Sequence, residues 1–344
     1  MSEEETSPRP PRRKRYSGNN PRRFEDKYKE LNPERYGETI AKVIASGKTP
    51  AGSHIPIMVE ECLEALNLQP GMTGVDATLG YGGHAVKIIE RISPDGKLVG
   101  LDVDPIEFPK TKARLRAAGY AEDRFVPIRS NYAGVARALA GKGIDTVDFI
   151  FADLGCSSMQ FDDPSRGFSF KVAGPLDMRM NPARGLSAAD WLVKVSPAKL
   201  ELALHAHSDE PRAESIAAAL AGNAFPDTLA LAKAIREAIR VSDEGERELT
   251  VRRVFQAVRI AVNEEFTALD AFLRTLPNCL KSGGRAAILT FHSGEDRRVK
   301  QAMKMGIDEG LYSEMSDGII TAGPEERRMN PRSTSAKLRW VTRK

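Results

Sequence analysis

Between residues 74 and 152, short apolar runs alternate with helical stretches, and no other feature restricts the fold of this chain as tightly. Gly74–Thr78 (GVDAT), Lys97–Leu101 (KLVGL), Arg124–Ile128 (RFVPI) and Thr146–Ala152 (TVDFIFA) read as strands, with helices at 84–91, 105–118 and 133–140 between them. Strands joined through helices cannot pair as hairpins, so the pattern predicts a parallel sheet with helices packed on its faces. A further helix, Val59–Leu66, precedes the first strand. After Asp153 the alternation stops. Residues 160–249 read as loop followed by Ala-rich helical segments at 187–193, 199–206, 213–221 and 229–239, without a strand. The pattern then resumes: Phe255, Val258, Val262, Phe266, Leu269 and Phe272 recur at three or four residues and predict one long amphipathic helix. Lys281-Ser282-Gly283-Gly284 predicts a turn into a last strand, 285–291. The expected class is α/β, a doubly wound sheet interrupted by a helical insertion and then completed. Residues 53–160 and 250–344 would form the sheet domain and 161–249 the insertion, which is expected to recognise substrate. Residues 1–52 would form a basic, largely disordered extension with a short helix at 33–45.

Composition narrows the function classes. At 41% hydrophobic and 28% charged residues the chain is that of a globular protein, and no apolar run reaches membrane-spanning length. The first thirty residues carry Arg, Glu and Pro where an export signal needs an apolar stretch, so a cytoplasmic location and no membrane partner are expected. Three cysteines, Cys62, Cys156 and Cys279, are odd in number and far apart, which excludes a disulfide framework and any Cys-x-x-Cys motif. The net charge of +4 resides wholly in residues 1–50, where 12 Lys and Arg face 8 Asp and Glu. Pro8–Arg15 (PRPPRRKR) within it reads as an arm that either contacts phosphates or only keeps the chain soluble.

The strongest local signal is Val75-Asp76-Ala77-Thr78-Leu79-Gly80-Tyr81-Gly82-Gly83-His84: a strand, an acid, a glycine turn and a helix start. Glycines there admit a ligand close to the backbone. Asp102, twenty residues beyond Gly82 at the end of the second strand, is placed to accept both ribose hydroxyls of an adenosine cofactor. The order Gly-x-Gly-Gly-His after an acid differs from the Gly-x-Gly-x-x-Gly of nicotinamide sites and suits S-adenosylmethionine. The bland alternative is that these glycines serve only a tight strand-to-helix turn.

Ligands bind doubly wound sheets at the carboxyl ends of the strands, which makes Asp153-Leu154-Gly155-Cys156-Ser157-Ser158 the candidate reaction loop, with Asp153, Ser157 and Ser158 its candidate catalytic residues. Methyl transfer from a sulfonium needs an in-line nucleophile held close. If the acceptor is an exocyclic amine, Asp153 or nearby carbonyls would orient it. If it is a pyrimidine carbon, Cys156 would attack the ring as a thiolate, although an isolated Cys is more often a small buried filler. Either chemistry requires an unstacked base. Phe168 and Phe170 near Arg166 and Arg179 are candidates to hold it, as are Arg259, from the polar stripe Arg252, Gln256, Arg259 and Asn263, and His292. Each phenylalanine serves equally well as core, and the stripe as a solvated face. His205 and His207 point in different directions on a helix, so no metal site is expected.

These residues, continued by Asp76-Ala77-Thr78-Leu79-Gly80, Leu101-Asp102-x-Asp104-Pro105, Asp162-Asp163-Pro164, Arg166-Gly167-Phe168-Ser169-Phe170, Gly174–Met180, Phe255-Gln256-Ala257-x-Arg259-Ile260, Phe291-His292-Ser293-x-Glu295-Asp296-Arg297 and Ser335–Arg339, closely resemble the bacterial 16S ribosomal RNA cytosine-N4 methyltransferases over roughly residues 53–340. The resemblance implies a class I Rossmann-like, S-adenosylmethionine-dependent methyltransferase with a helical insertion, whose partner is 16S ribosomal RNA or the small ribosomal subunit and which could form a homodimer. It also implies cofactor contacts at Gly82, Gly83, His84, Asp102, Tyr132, Asp153 and Gln160. Departures from the family pattern fall at Cys156 in place of a small aliphatic residue, Gly294 in place of Leu and Thr334 in place of Arg, and the tail before Ser53 is an addition to it. The readings carried forward are N4 methylation, C5 methylation through Cys156, and a cofactor-bound ribosome assembly factor whose activity is lost or incidental.

Overall fold

A computed structural model of the chain describes residues 56–344; the helix expected at 33–45 and the basic arm lie outside the described residues. Helix α1 (Val59–Leu66) leads into β1 (Thr73–Asp76), α2 (Gly83–Ile92), β2 (Lys97–Asp102), α3 (Glu107–Ala117), β3 (Phe125–Arg129), α4 (Val135–Ala140) and β4 (Val147–Asp153). The strands order as β3-β2-β1-β4 and pair in parallel, as helix-linked strands must. Along β4, Phe149 and Phe151 enter one apolar core with Ile88, Ile89 and Leu338, while Ile150 and Ala152 enter the opposite one with Phe272 and Ile288. Period-two burial on both faces makes these strands continuous apolar runs, which is why the sequence announces them.

A short helix α5 (Ser158–Asp162) follows β4, and α6 (Ala188–Lys194), α7 (Pro197–Ser208), α8 (Ala213–Leu220) and α9 (Thr228–Ala238) come next. These build a third core from Leu192, Leu200, Leu204, Ile216 and Ile235. It is closed by Val251, Val254 and Val258 of α10 (Glu244–Asn263), so the boundary expected at 249/250 falls inside a helix that packs with the insertion.

Two sequence expectations are corrected. The single long helix is two, α10 and α11 (Glu265–Cys279), because Glu264 adopts a left-handed conformation with φ 51° and its N–H closes onto the Ile260 and Ala261 carbonyls. The expected turn at Lys281–Gly284 is instead the start of β5 (Leu280–Thr290): Gly283 takes φ 77° and the β4–β5 register shifts between Val147 and Phe149, as at a bulge. Beyond β5 lie α12 (Ser293–Asp308), β6 (Tyr312–Met315), α13 (Pro324–Met329) and β7 (Lys337–Arg343). Strand β5 joins β4 in parallel, and β7 inserts antiparallel between β5 and β6 to give the order β3-β2-β1-β4-β5-β7-β6. The fold is thus the expected α/β class with a seven-stranded sheet. Winding reverses between β1 and β4, which opens a crevice at the carboxyl ends carrying Asp76 and Asp153.

Candidate active site

The glycine loop is held from beneath. Asp76, at the end of β1, accepts the Thr78 N–H at 3.1 Å, and Thr111 of α3 donates its hydroxyl to the Gly80 carbonyl at 2.6 Å. The Arg114 guanidinium reaches the Tyr81 carbonyl and lies over the Tyr81 ring, 3.4 Å from its centroid. Gly82 caps α2 at φ 85°, a conformation that disfavours other residues, and a side chain on Gly83 would collide with the ring of Pro56.

Asp102 faces this loop from β2: one carboxylate oxygen accepts the Gly80 N–H at 2.7 Å, the other the Asp104 N–H at 2.8 Å. Burial pushes its pKa up to about 6 against the pull of those N–H donors. Beyond Asp102, Val103, Asn131, Tyr132, Gly155, Met180, Asn263, Glu265 and Ala268 line a narrow slot of about 30 Å³. Tyr132 stands edge-on to Phe272 and donates its hydroxyl to the Glu265 carbonyl at 3.3 Å.

The reaction loop leaves β4 with the Asp153 N–H donating to the Thr78 hydroxyl at 2.6 Å, which ties it to the glycine loop. Asp153 lies opposite His84, 3.6 Å from Oδ2 to Nδ1. Burial, reinforced by Asp76 and Glu295, pushes Asp153 up to about 8. Burial likewise pushes Asp76 up to about 7, with Asp102 adding to it, and His84 down to about 4. Carboxyls raised this way gain by facing a cation, whose charge favours their ionised form. From α12, Glu295 accepts the Phe291 N–H at 2.9 Å and lies 3.2 Å from His292 Nε2. Burial raises Glu295, but His292, Arg259 and the Phe291 N–H outweigh it and hold it below the usual value.

Several residues expected to act directly turn out to be held by other groups. Ser157 caps α5: its hydroxyl accepts the Gln160 N–H at 3.3 Å while Gln160 Oε1 accepts the Ser157 N–H at 2.9 Å, and Ser158 opens the helix. The Gln160 amide donates to Asp104 at 2.8 Å, so both ends of this side chain, expected at the cofactor, serve the loop. Asp104, to which the sequence alone gives no role, joins the two halves of the site. It accepts the Ile106 N–H at the start of α3 and, on its other oxygen, Gln160 and Arg166. Only the local spacing Asp102-x-Asp104 hinted at it.

Of the residues expected to hold RNA, Arg166 is buried and donates to Asp104 and to the Arg179 and Met180 carbonyls, which leaves its guanidinium inside the loop. Phe168 is buried in the core of the insertion. Phe170 packs against Phe255 at 5.3 Å. Arg259 is buried in a two-pronged pair with Glu265, at 2.8 and 3.0 Å, and its third nitrogen lies 3.2 Å from Cys156 Sγ. The break at Glu264 makes that pair, since residues six apart on an unbroken helix face different ways. Gln256 donates to the His207 carbonyl, and Asn263 bonds Met178 and Met180, so this part of the polar stripe docks α10 instead of facing solvent. His292 caps α12 by accepting the Glu295 N–H at 3.4 Å. Arg179 is partly exposed and forked onto Asp177, which leaves it freer access than Arg166, Arg259 or His292.

Comparisons with known proteins follow the same lines. The MraW methylase family matches residues 51–344. The Ribosomal RNA small subunit methyltransferase H 1 of Agathobacter rectalis is 47% identical, covering 100% of this chain and 99% of its own length. The Ribosomal RNA small subunit methyltransferase H 2 of Alkaliphilus metalliredigens is 44% identical over 96% of this chain and 97% of its own. The Ribosomal RNA small subunit methyltransferase H of Acidobacterium capsulatum is 37% identical over 85% and 98%. The first two extend into the N-terminal segment before Ser53, so that segment is not an addition peculiar to this chain but has a counterpart in some relatives.

Proposed function

The chain belongs to the MraW methylase family, and from that premise we propose that it methylates the exocyclic N4 amine of a cytidine in 16S ribosomal RNA, acting in the cytoplasm on that RNA or on the small ribosomal subunit. It is an S-adenosylmethionine-dependent methyltransferase. The observation that carries the acceptor assignment is the position of Asp153: a carboxyl at the carboxyl end of β4, 3.6 Å from His84 beside the glycine loop, with no activated nucleophile beside it among the described residues.

The side chains around the crevice fit the cofactor by their chemistry. Gly80 and Gly83 keep their backbone partly exposed, Asp102 keeps lone pairs for ribose hydroxyls beside the two N–H groups it already accepts, and Val103 and Tyr132 offer apolar faces to an adenine. When bound, S-adenosylmethionine supplies a methyl group activated by a positively charged sulfur. Asp153 would accept the N4 amine, localise its lone pair and aim it along the methyl–sulfur axis, so that positioning supplies most of the effect. The Thr78 contact fixes the backbone of Asp153 for that task.

Cytosine C5 chemistry through Cys156 is not favoured. Burial pushes this thiol up to about 11 despite Arg259 beside it, so it is a thiol at neutral pH, and the thiolate is the nucleophilic form. Incubation with small-subunit RNA or particles, digestion to nucleosides and mass spectrometry should yield N4-methylcytidine. Appearance of 5-methylcytidine instead would overturn the assignment, and binding of particles without turnover would favour the assembly-factor reading.

A further inference from the structure

Asp153 meets its surroundings in an arrangement that determines which group carries a proton. His84 Nε2 lies 3.0 Å from the Ile57 carbonyl oxygen, and a carbonyl can only accept, so Nε2 carries the ring hydrogen. Nδ1 then presents a lone pair to Asp153 Oδ2, 3.6 Å away. A lone pair and an ionised carboxylate repel, whereas a protonated Asp153 complements Nδ1. The acids facing Asp153 act in the same sense, Asp76 from β1 and Glu295 from α12, while the Cys62 thiol of α1, held neutral by burial and by Asp153 itself, brings no positive charge to it. Among the described residues no Lys or Arg pairs with it.

We propose that Asp153 carries a proton in the cofactor-free enzyme, releases it to solvent when the sulfonium of S-adenosylmethionine enters, and recovers a proton from N4 during methylation. The inference rests on the methyltransferase reading above and adds the fate of the proton. The N4 lone pair forms the new N–C bond while the methyl–sulfur bond breaks, its electrons remaining on sulfur as a neutral thioether. The methylated amine is then cationic and passes one proton to the Asp153 carboxylate, leaving neutral N4-methylcytidine. The positive charge that kept Asp153 ionised disappears in the same step that supplies the proton, so its basicity rises when an acceptor is needed. The reprotonated acid again faces the lone pair of His84 Nδ1, which favours its neutral form. The position of Asp153, pushed up to about 8 by burial, is consistent with the first stage at neutral pH.

Proton uptake and release accompany binding and can be read without turnover. Calorimetric titrations at pH 7 in two buffers of different ionisation heat give the protons exchanged per ligand bound. S-adenosylmethionine should release about one proton more than S-adenosylhomocysteine, which differs at the sulfur by the methyl group and its charge. In Asp153→Asn that difference should vanish. Equal proton release by both ligands in the native protein would overturn the proposal, as would a difference that persists in the variant, which would place the proton on Asp76. Failure of either ligand to bind would instead remove the cofactor reading beneath it. Infrared difference spectra of the native protein supply a second test that needs no variant: a carboxylic-acid carbonyl band should be lost on adding S-adenosylmethionine and retained with S-adenosylhomocysteine. Retention of that band with both ligands would also overturn the proposal.

Discussion

Asp104 and Arg166 meet inside the protein at 2.8 Å, with 2% and 7% of their side chains exposed, and join the segment just after the strand carrying the cofactor-side acid to the first loop of the insertion. Removing one partner of such a pair strands the other without compensation. Arg166→Ala should therefore lower unfolding stability by about 3–5 kcal/mol, measured by denaturant titration. If Arg166 contacted RNA phosphate instead, a folded Arg166→Lys protein would keep that charge and bind RNA normally. We expect Arg166→Lys to bind S-adenosylmethionine more weakly, because a single ammonium cannot reach Asp104 and two carbonyls together.

Cys156→Ala should retain N4 methylation within a few-fold, since the substitution removes only a sulfur contact to an arginine already held by Glu265. RNA carrying 5-fluorocytidine should form no denaturation-resistant adduct with the native enzyme. A covalent band on a denaturing gel that disappears in Cys156→Ala would reverse this expectation.

The Gly294 departure has a local cause. A Cβ there would approach Phe266 Cζ to 2.7 Å and press on the His292 ring, so Phe266 occupies the space a Leu would need. Gly294→Leu should cost about 1–3 kcal/mol by overpacking, and Phe266→Ala made with it should recover part of that loss. Thermal unfolding of the two single variants and the double variant closes the cycle.

Stability of the cofactor-free protein should fall with rising pH through the neutral range. Asp153 at about 8 and Asp76 at about 7 hold protons more tightly folded than unfolded, so their contribution is complete below about pH 4 and lost as pH passes those values. His84, depressed to about 4, acts in the opposite direction below about pH 6.5, so the decline is cleanest above that point. Unfolding midpoints across this range should drop for the native protein and drop less for Asp153→Asn.

The parts legible in the sequence are those governed by local periodicity. Strands β1, β2 and β4 show because both of their faces are buried, and the glycine loop shows because its conformations exclude side chains. The break at Glu264 left no trace: the apolar spacing from Phe255 to Phe272 runs across it, and a glutamate at positive φ carries none of the Gly or Pro punctuation that marks a helix end. Strand β6 (YSEM) is too short and polar to stand out. Arg166 and Arg259 resembled nucleic-acid contacts because sequence gives a charge but not its partner, and both partners, Asp104 and Glu265, depend on how the chain folds back.

Strands β4 and β5 are neighbours in the sheet, yet the whole of residues 154–279 lies between them in the chain. During synthesis β1 to β4 can pair while the apolar edge of β4 (VDFIFAD) waits uncovered, the kind of edge that invites misassembly. Residues 161–263, whose α6 to α10 share a core of their own, can fold in that interval and bring the two ends of the insertion within reach. Asp153 and Glu295 come together only when β5 docks, so the enzyme gains its chemistry at the closing step of its own folding and a partly formed sheet has none to offer.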